Sequence, residues 1–439
     1  VEELTFVLPS GTIVNTAHGD AAFRAQEPEL HAQLLAFRDR LRAHTEMVEF
    51  LRTKFSIRNT NGLRIDAFLD EDEPVHILKR LLVGSEGIFG AITESVIRTV
   101  KLPRVKATTW VELPNLRDAA NVVHPIMETG AEACELLVAP VMRRSAEHYS
   151  HAPESWRDLD DDAAALLVEV GGSDESDLAA AMDRLRAVLA DAPLTRPLEF
   201  ETSPEGMRGA WELRNGLYGL LGADRPNGTA YITEDVCFPP DKVGEAAADL
   251  MDLQIKYGYL ESVMGHAAFG NLHFFFTPRF DREEERESYA NFLDELAELV
   301  IDKYQGSMKA EHGTGVNMAP YLEHEWGTEA FELFWEVKHM LDPQGILAPD
   351  IKLTRDQTIH LRNFKSFPKV EDDINPCVEC GFCEPVCPSR HATVTPRQRI
   401  VLRREMARQE EGSEVLAQLQ EEYQYDAVDM CAADGTCSI

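Results

Sequence analysis

Apolar and polar positions follow two rhythms along the chain, and the places where the rhythm changes mark its elements. Leu4-Thr-Phe-Val-Leu8 and Thr12-Ile-Val14 flank Pro9-Ser-Gly11 and read as two strands around a glycine turn. From about 28 to 52, Leu30, Leu34, Leu35, Phe37 and Leu41 recur at helical spacing among acids and arginines, which predicts one surface helix. Leu81-Leu-Val83 reads as the end of an apolar strand, followed by a glycine-rich turn and a second strand running to Val100. Nothing like a capping element precedes Val1, so the chain is expected to begin part-way through a domain.

Beyond Val105 the two rhythms alternate. Strands are expected at 108–113, 133–138 and 164–170, and helices at 116–129, 175–189, 241–257 and 284–304. A strand-like Tyr231-Ile-Thr233 leads into Glu234-Asp-Val236. The pattern predicts an α+β fold with helices on one face of a largely antiparallel sheet. Asp342-Pro-Gln-Gly-Ile-Leu-Ala-Pro349 closes that unit, and the charged, irregular residues 354–376 suit a linker or wrap-around arm. The expected divisions are therefore 1–104, 105–353, 354–376 and 377–439, with no internal repeat.

Composition narrows the function. At 439 residues and 44% hydrophobic the chain can fill two or three domain cores. A formal net charge of -33 repels nucleic acid and anionic membrane surfaces. No apolar run approaches the roughly 18–20 residues of a spanning helix, and the first residues are not a signal peptide. A place inside the cell is expected, cytoplasmic or peripheral to the inner face of the membrane.

Cys134 and Cys237 stand alone, whereas Cys377, Cys380, Cys383, Cys387, Cys431 and Cys437 crowd the end of the chain, which speaks for metal thiolates rather than disulfides. Cys377-x2-Cys380-x2-Cys383-x3-Cys387-Pro388 reproduces bacterial ferredoxin spacing, in which three thiolates hold one 4Fe-4S cluster and the fourth reaches another. A zinc knuckle would instead use Cys-x2-Cys pairs separated by a longer loop. Cys431-Ala-Ala-Asp434-Gly-Thr-Cys437 looks like the start of a second such motif, with Asp434 where a middle cysteine usually stands and the closing Cys-Pro missing.

A second constellation lies in Gly265-His-Ala-Ala-Phe-Gly-Asn-Leu-His273 and Lys309-Ala-Glu-His-Gly313. Two imidazoles, a carboxylate and a spare histidine are the makings of a divalent-metal site with a general base beside it. His266 and His273 converge only if a turn intervenes, and Gly270 supplies one; Glu311 and His312 need a bent segment, which Gly313 and Gly315 allow.

Gly84-Ser-Glu-Gly-Ile-Phe-Gly-Ala-Ile-Thr-Glu94 has strand-like flanks and is not a Rossmann fingerprint. Together with Trp211-Glu-Leu-Arg214, the two histidine stretches and Asp342-Pro-Gln-Gly-Ile-Leu347, it occurs in the order found in FAD-linked D-2-hydroxy-acid dehydrogenases. Residues 1 to about 352 resemble that family, within the vanillyl-alcohol-oxidase type of flavoproteins. With its cysteine tail the chain looks most like bacterial and archaeal fusions of D-lactate or D-2-hydroxyglutarate dehydrogenase to an iron–sulfur module.

The resemblance implies the C-terminal part of an FAD-binding domain at 1–104, a substrate or cap domain at 105–353, a linker, and the start of an α-helical ferredoxin-like module at 377–439. It implies that Gly84, Ser85, Glu86, Gly87, Gly90 and Ile92 run along FAD, and that Arg214 clamps the substrate carboxylate. His266, His273 and Glu311 match ligands of zinc or manganese, and His312 matches the base. The family's upstream FAD half, with its pyrophosphate loop, has no counterpart before Val1. Three departures are Phe269 for an aspartate, Val316 for a basic residue and Phe275 for a polar substrate contact. Each makes the pocket less polar, which favours D-lactate over D-2-hydroxyglutarate, with glycolate a further alternative. Electrons would leave through the clusters to a quinone, cytochrome or electron-transfer protein. The rivals are a non-catalytic electron-transfer subunit and a structural zinc protein, the second of which leaves Arg214 unexplained.

Overall fold

The computed structural model describes residues 1–437. Its first strands are β1 (Glu3–Val7) and β2 (Ile13–Asn15), paired antiparallel, and β3 (Ala91–Val96) adds to the other side of β1. The helix expected from 28 to 52 is two, Pro28–Ala43 and Thr45–Lys54. His44 divides them: its Nδ1 accepts from the Met47 amide at 3.1 Å and caps the second helix.

The apolar stretch before the glycine turn is also helical, Pro74–Leu82, not a strand. Proline opens it, and Val75, Leu78, Leu81 and Leu82 are buried at i, i+3, i+6 and i+7. Only the downstream flank of the turn is a strand, and it ends at Val96 rather than Val100. A 20-residue helix, Leu322–Leu341, returns to this first core, where Leu322, Trp326, Phe331 and Phe334 join Phe6, Phe37, Phe68 and Leu78. Packing therefore unites the beginning of the chain with residues just before the 354–376 arm.

The larger sheet contains β4 (Val105–Leu113), β5 (Ala133–Val138), β6 (Ala164–Gly172), β7 (Phe200–Glu201), β8 (Ile232–Cys237), β9 (Met264–Gly265) and β10 (Asn271–Phe276). Their order is β7-β4-β6-β5-β9-β10-β8, with every neighbouring pair antiparallel. Helices cover both faces rather than the one expected. Phe274 and Phe276 meet Phe292 of the helix Glu283–Ala297 on one side, and Glu135 and Phe275 meet Arg214 and Tyr218 of the helix Pro204–Ala223 on the other. Residues 164–170 announce this, because a run buried at every position has no solvent face.

Residues 354–376 lie against the sheet domain as an arm, with Phe364 stacked on Phe280 at 4.0 Å. The cysteine segment follows, then helices Pro396–Arg408 and Glu414–Tyr423. Among the described residues no helix is long and apolar enough to cross a membrane.

Candidate functional site

The register of the large sheet decides which side chains meet. Leu137 pairs with Met264, Met264 with His273, and His273 with Asp235, so these positions share one face. Strand alternation adds Glu135 and Phe275 to it. Between β9 and β10 the chain makes one short turn, Ala267–Phe269, closed by Gly270 at φ 72°. A Cβ on Gly270 would lie 2.1 Å from the Phe238 carbonyl oxygen, so glycine is required there. The turn brings the His266 and His273 rings to 5.2 Å, nearly perpendicular.

Glu311 completes the set, with its Oε1 3.1 Å from His266 Nε2 and 3.2 Å from His273 Nε2. One ligand atom from each of the three lies within 4.8 Å of the other two, a spacing one divalent cation can bridge. Behind His266, Glu135 Oε1 accepts from Nδ1 at 2.7 Å and Oε2 from Arg214 Nε at 2.9 Å. That carboxylate fixes the imidazole so that Nε2 faces the centre, the usual support of a metal-bound histidine. Burial works to raise the Glu135 pKa, but His266 and Arg214 outweigh it and hold the carboxyl below its ordinary value. His273 goes the other way: burial, then the neighbouring His312, His266, Arg214 and Lys309, push it down to about 3 and keep it neutral.

Asp235, fully buried on β8, shapes the segment bearing Glu311 and His312. Its Oδ2 accepts from the backbone amides of Ala310 at 3.0 Å, Glu311 at 2.7 Å and His312 at 3.4 Å. Its Oδ1 lies 3.6 Å from His312 Nδ1, outside hydrogen-bond range but close enough to act as a charge. The His312 ring stacks on His273 at 4.9 Å. Next to it, the neighbouring Glu234 pairs with the buried Lys309. Arg58 donates to Glu311 Oε2 at 3.0 Å and lies 3.6 Å over the Phe269 ring, so the phenylalanine has a cation as its partner.

The expected flavin stretch meets the same segment. Glu86 accepts from the amides of Thr314 at 2.7 Å and Gly315 at 2.9 Å and from Lys352 Nζ at 2.7 Å, which ties the glycine turn to the segment that follows His312. Ser85 is buried, and Gly90 lies where a Cβ would sit 2.6 Å from the Val7 carbonyl oxygen. Gly84 and Gly87 have positive φ and open space before them, and Ile92 stands on β3, exposed along its whole length. A turn of bare backbone beside an open strand is compatible with a cofactor lying along it.

Cys377, Cys380 and Cys383 are partly exposed on turns, with Glu379 and Gly381 at positive φ between them. The Glu379 amide donates to Cys377 Sγ at 3.4 Å, an N–H···S contact of the kind iron–sulfur sites use, and burial with nearby Cys377 and Cys380 pushes the Cys383 thiol up. Cys387 is buried, and the stretch carrying Cys431 and Cys437 returns to it: Ser389 bonds the Met430 carbonyl and Thr436 that of Val386. The donor set and this return suit clusters better than isolated thiols.

The fold thus carries a histidine–carboxylate cluster and a ferredoxin-type cysteine tail in one chain. Residues 102–351 match the family model described as FAD linked oxidases, C-terminal domain, and the chain belongs to that family. Residues 373–439 match a 4Fe-4S dicluster domain. Among curated relatives, mitochondrial D-lactate dehydrogenase [cytochrome] of Kluyveromyces lactis is 27% identical over 278 residues, 62% of this chain and 47% of that protein. Glycolate oxidase subunit GlcD of Bacillus subtilis is 27% identical over 304 residues, covering 68% and 62%. D-2-hydroxyglutarate dehydrogenase of Escherichia coli is 26% identical over 368 residues, covering 75% and 36%. The chain spans about half the length of the curated relatives it matches.

The sequence reading gave no role to Glu135, Asp235, Lys309 or Arg58. A lone carboxylate inside the apolar run Ala133–Val138, and two adjacent acids on a buried strand, were the available signals, because a buried charge needs a partner.

Proposed function

We propose that the chain carries the substrate-oxidising part of an FAD- and iron–sulfur-dependent dehydrogenase that converts a D-2-hydroxy acid, D-lactate in preference, to its 2-oxo acid. The observation that carries this reading is the convergence of His266, His273 and Glu311 beside a His312 whose backbone Asp235 holds. A zinc or manganese ion on those three ligands would supply Lewis acidity to the substrate oxygens, FAD along 84–92 would accept the hydride, and 4Fe-4S clusters on the tail cysteines would carry single electrons away.

The remaining work belongs to side chains. Arg214, with Nε taken by Glu135, donates from neither Nη to a protein acceptor among the described residues, so both can hold a substrate carboxylate. The Asp235 carboxylate near Nδ1 favours a proton there and leaves His312 Nε2 to accept the hydroxyl proton.

An aromatic wall supports a small substrate. Phe275 follows His273 by two residues on the same strand face, and Tyr231 stacks on it at 5.1 Å while Tyr218, one helical turn after Arg214, meets it edge-on at 5.7 Å. A second carboxylate placed there would be desolvated without a cationic partner. The test is anaerobic reduction of the complete gene product. D-lactate should bleach the flavin absorption where L-lactate does not, and no bleaching with any 2-hydroxy acid would falsify the enzymatic reading.

A further inference from the structure

Two buried arginines, one from each matched family segment, converge at the start of the cysteine motif. Arg225 follows the helix Pro204–Ala223 of the oxidase domain and is 6% exposed; Arg404 lies on the helix Pro396–Arg408 of the tail and is 2% exposed. Arg225 Nη2 donates to the carbonyl oxygens of Asn375 at 3.1 Å and Cys377 at 3.2 Å. Arg404 Nη2 donates to the same two oxygens, at 3.2 and 2.6 Å, and its Nη1 to Glu379 at 2.7 Å. Both guanidiniums also flank the Phe367 ring, at 5.6 and 5.1 Å.

This arrangement is unbalanced as it stands. Two buried guanidiniums face each other across two neutral carbonyls, and Glu379, among the described residues the one carboxylate bonded to either, is shared with Lys365. Arg225 Nε and Nη1 and Arg404 Nε are buried N–H groups with no protein acceptor among the described residues. Burial and Arg404 both depress the Arg225 pKa, while Cys377 and Glu379 oppose them. An under-compensated buried cation is costly, and here Arg225, Arg404 and the half-exposed Lys365 share the single carboxylate of Glu379. In a chain of net charge -33 the counter-charge would have to be local and anionic. A four-iron cluster with thiolate ligands is such a group, and its sulfurs accept N–H bonds.

We propose that Arg225 and Arg404 form a two-guanidinium seat for the cluster at Cys377, Cys380 and Cys383, fastening the tail to the oxidase domain and raising that cluster's reduction potential. The seat rests on the reading that these cysteines hold a cluster. Reduction adds negative charge, which nearby buried cations stabilise, so removing either cation makes the cluster harder to reduce. Both are positioning residues, since neither ligates iron.

The test uses the full chain, purified without oxygen, with iron and acid-labile sulfide measured before an EPR-monitored redox titration. Arg225→Gln and Arg404→Gln should shift the potential to more negative values, the double variant further than either, with Arg225→Lys close to the wild type. A Gln variant with full iron and an unmoved potential overturns the seat. If Arg225→Gln loses its iron, loading of Arg225→Lys with the wild-type potential supports the charge argument, and iron loss there too overturns it. A wild-type chain that binds no iron defeats the cluster reading itself, and the seat with it.

Discussion

The histidine cluster, which we propose holds a divalent ion, and the cysteine segment, which matches a 4Fe-4S domain, are built in opposite ways. The histidine centre is assembled by strand register: Glu135, Asp235 and His273 are buried on strands of one sheet, and Glu135 and Asp235 are each held by a partner from another element. Of the tail cysteines, three are partly exposed, two are exposed and only Cys387 is buried. A site held by its scaffold keeps its geometry before metal arrives, whereas one held mainly by its own ligands acquires order from the metal. On the proposed reading, the difference teaches that metal capture would follow folding at the histidine cluster and drive it at the cysteine tail.

The most drastic way to break this contrast is Cys380→Ala. Loss of the cluster should speed hydrogen exchange of amides from 377 to 437 and leave those of β10 protected; equal protection in both regions would abolish the distinction. His312→Ala should lower turnover by about 10²–10⁴-fold with divalent-metal content intact. If metal is lost instead, His312 is a ligand and not the base. Removing the support behind a ligand is milder: Glu135→Gln should weaken divalent-metal affinity by roughly 10–100-fold without disturbing iron content, and unchanged affinity would show that the scaffold is not what orients His266. The smallest change expected is in selectivity. Phe275→Asn should improve kcat/KM for D-2-hydroxyglutarate relative to D-lactate by roughly tenfold, an effect the aromatic wall predicts and a remote pocket does not.

What could be read beforehand followed the range of the interactions involved. Cysteine spacing was legible because the spacing itself is the chemistry, and β5 and β6 were legible because their apolar runs are local. The turn at Gly270 could be inferred, since two histidines an odd number apart cannot share a face without one. Glu135 and Asp235 could not, because their partners lie 131 and 76 residues away. Pro74–Leu82 passed for a strand end because Leu81, Leu82 and its C-cap Val83 form a consecutive apolar run, and the i, i+3 spacing shows only from its proline onward. His44 escaped notice because a histidine cap resembles any polar helix residue. The helix Leu322–Leu341 left no trace of its destination, since an apolar stripe does not say which core it will join.

The bonds from Thr314 and Gly315 to Glu86 close loops of 228 and 229 residues. Contacts so remote in sequence come at the end of folding, after the entropy of closing the loop has been met by everything between. During synthesis the glycine turn leaves the ribosome before its partner segment exists, so the two can join only after the residues between them have been made. The tie between the glycine turn and the segment bearing His312 is therefore made only once the chain has been synthesised past Gly315.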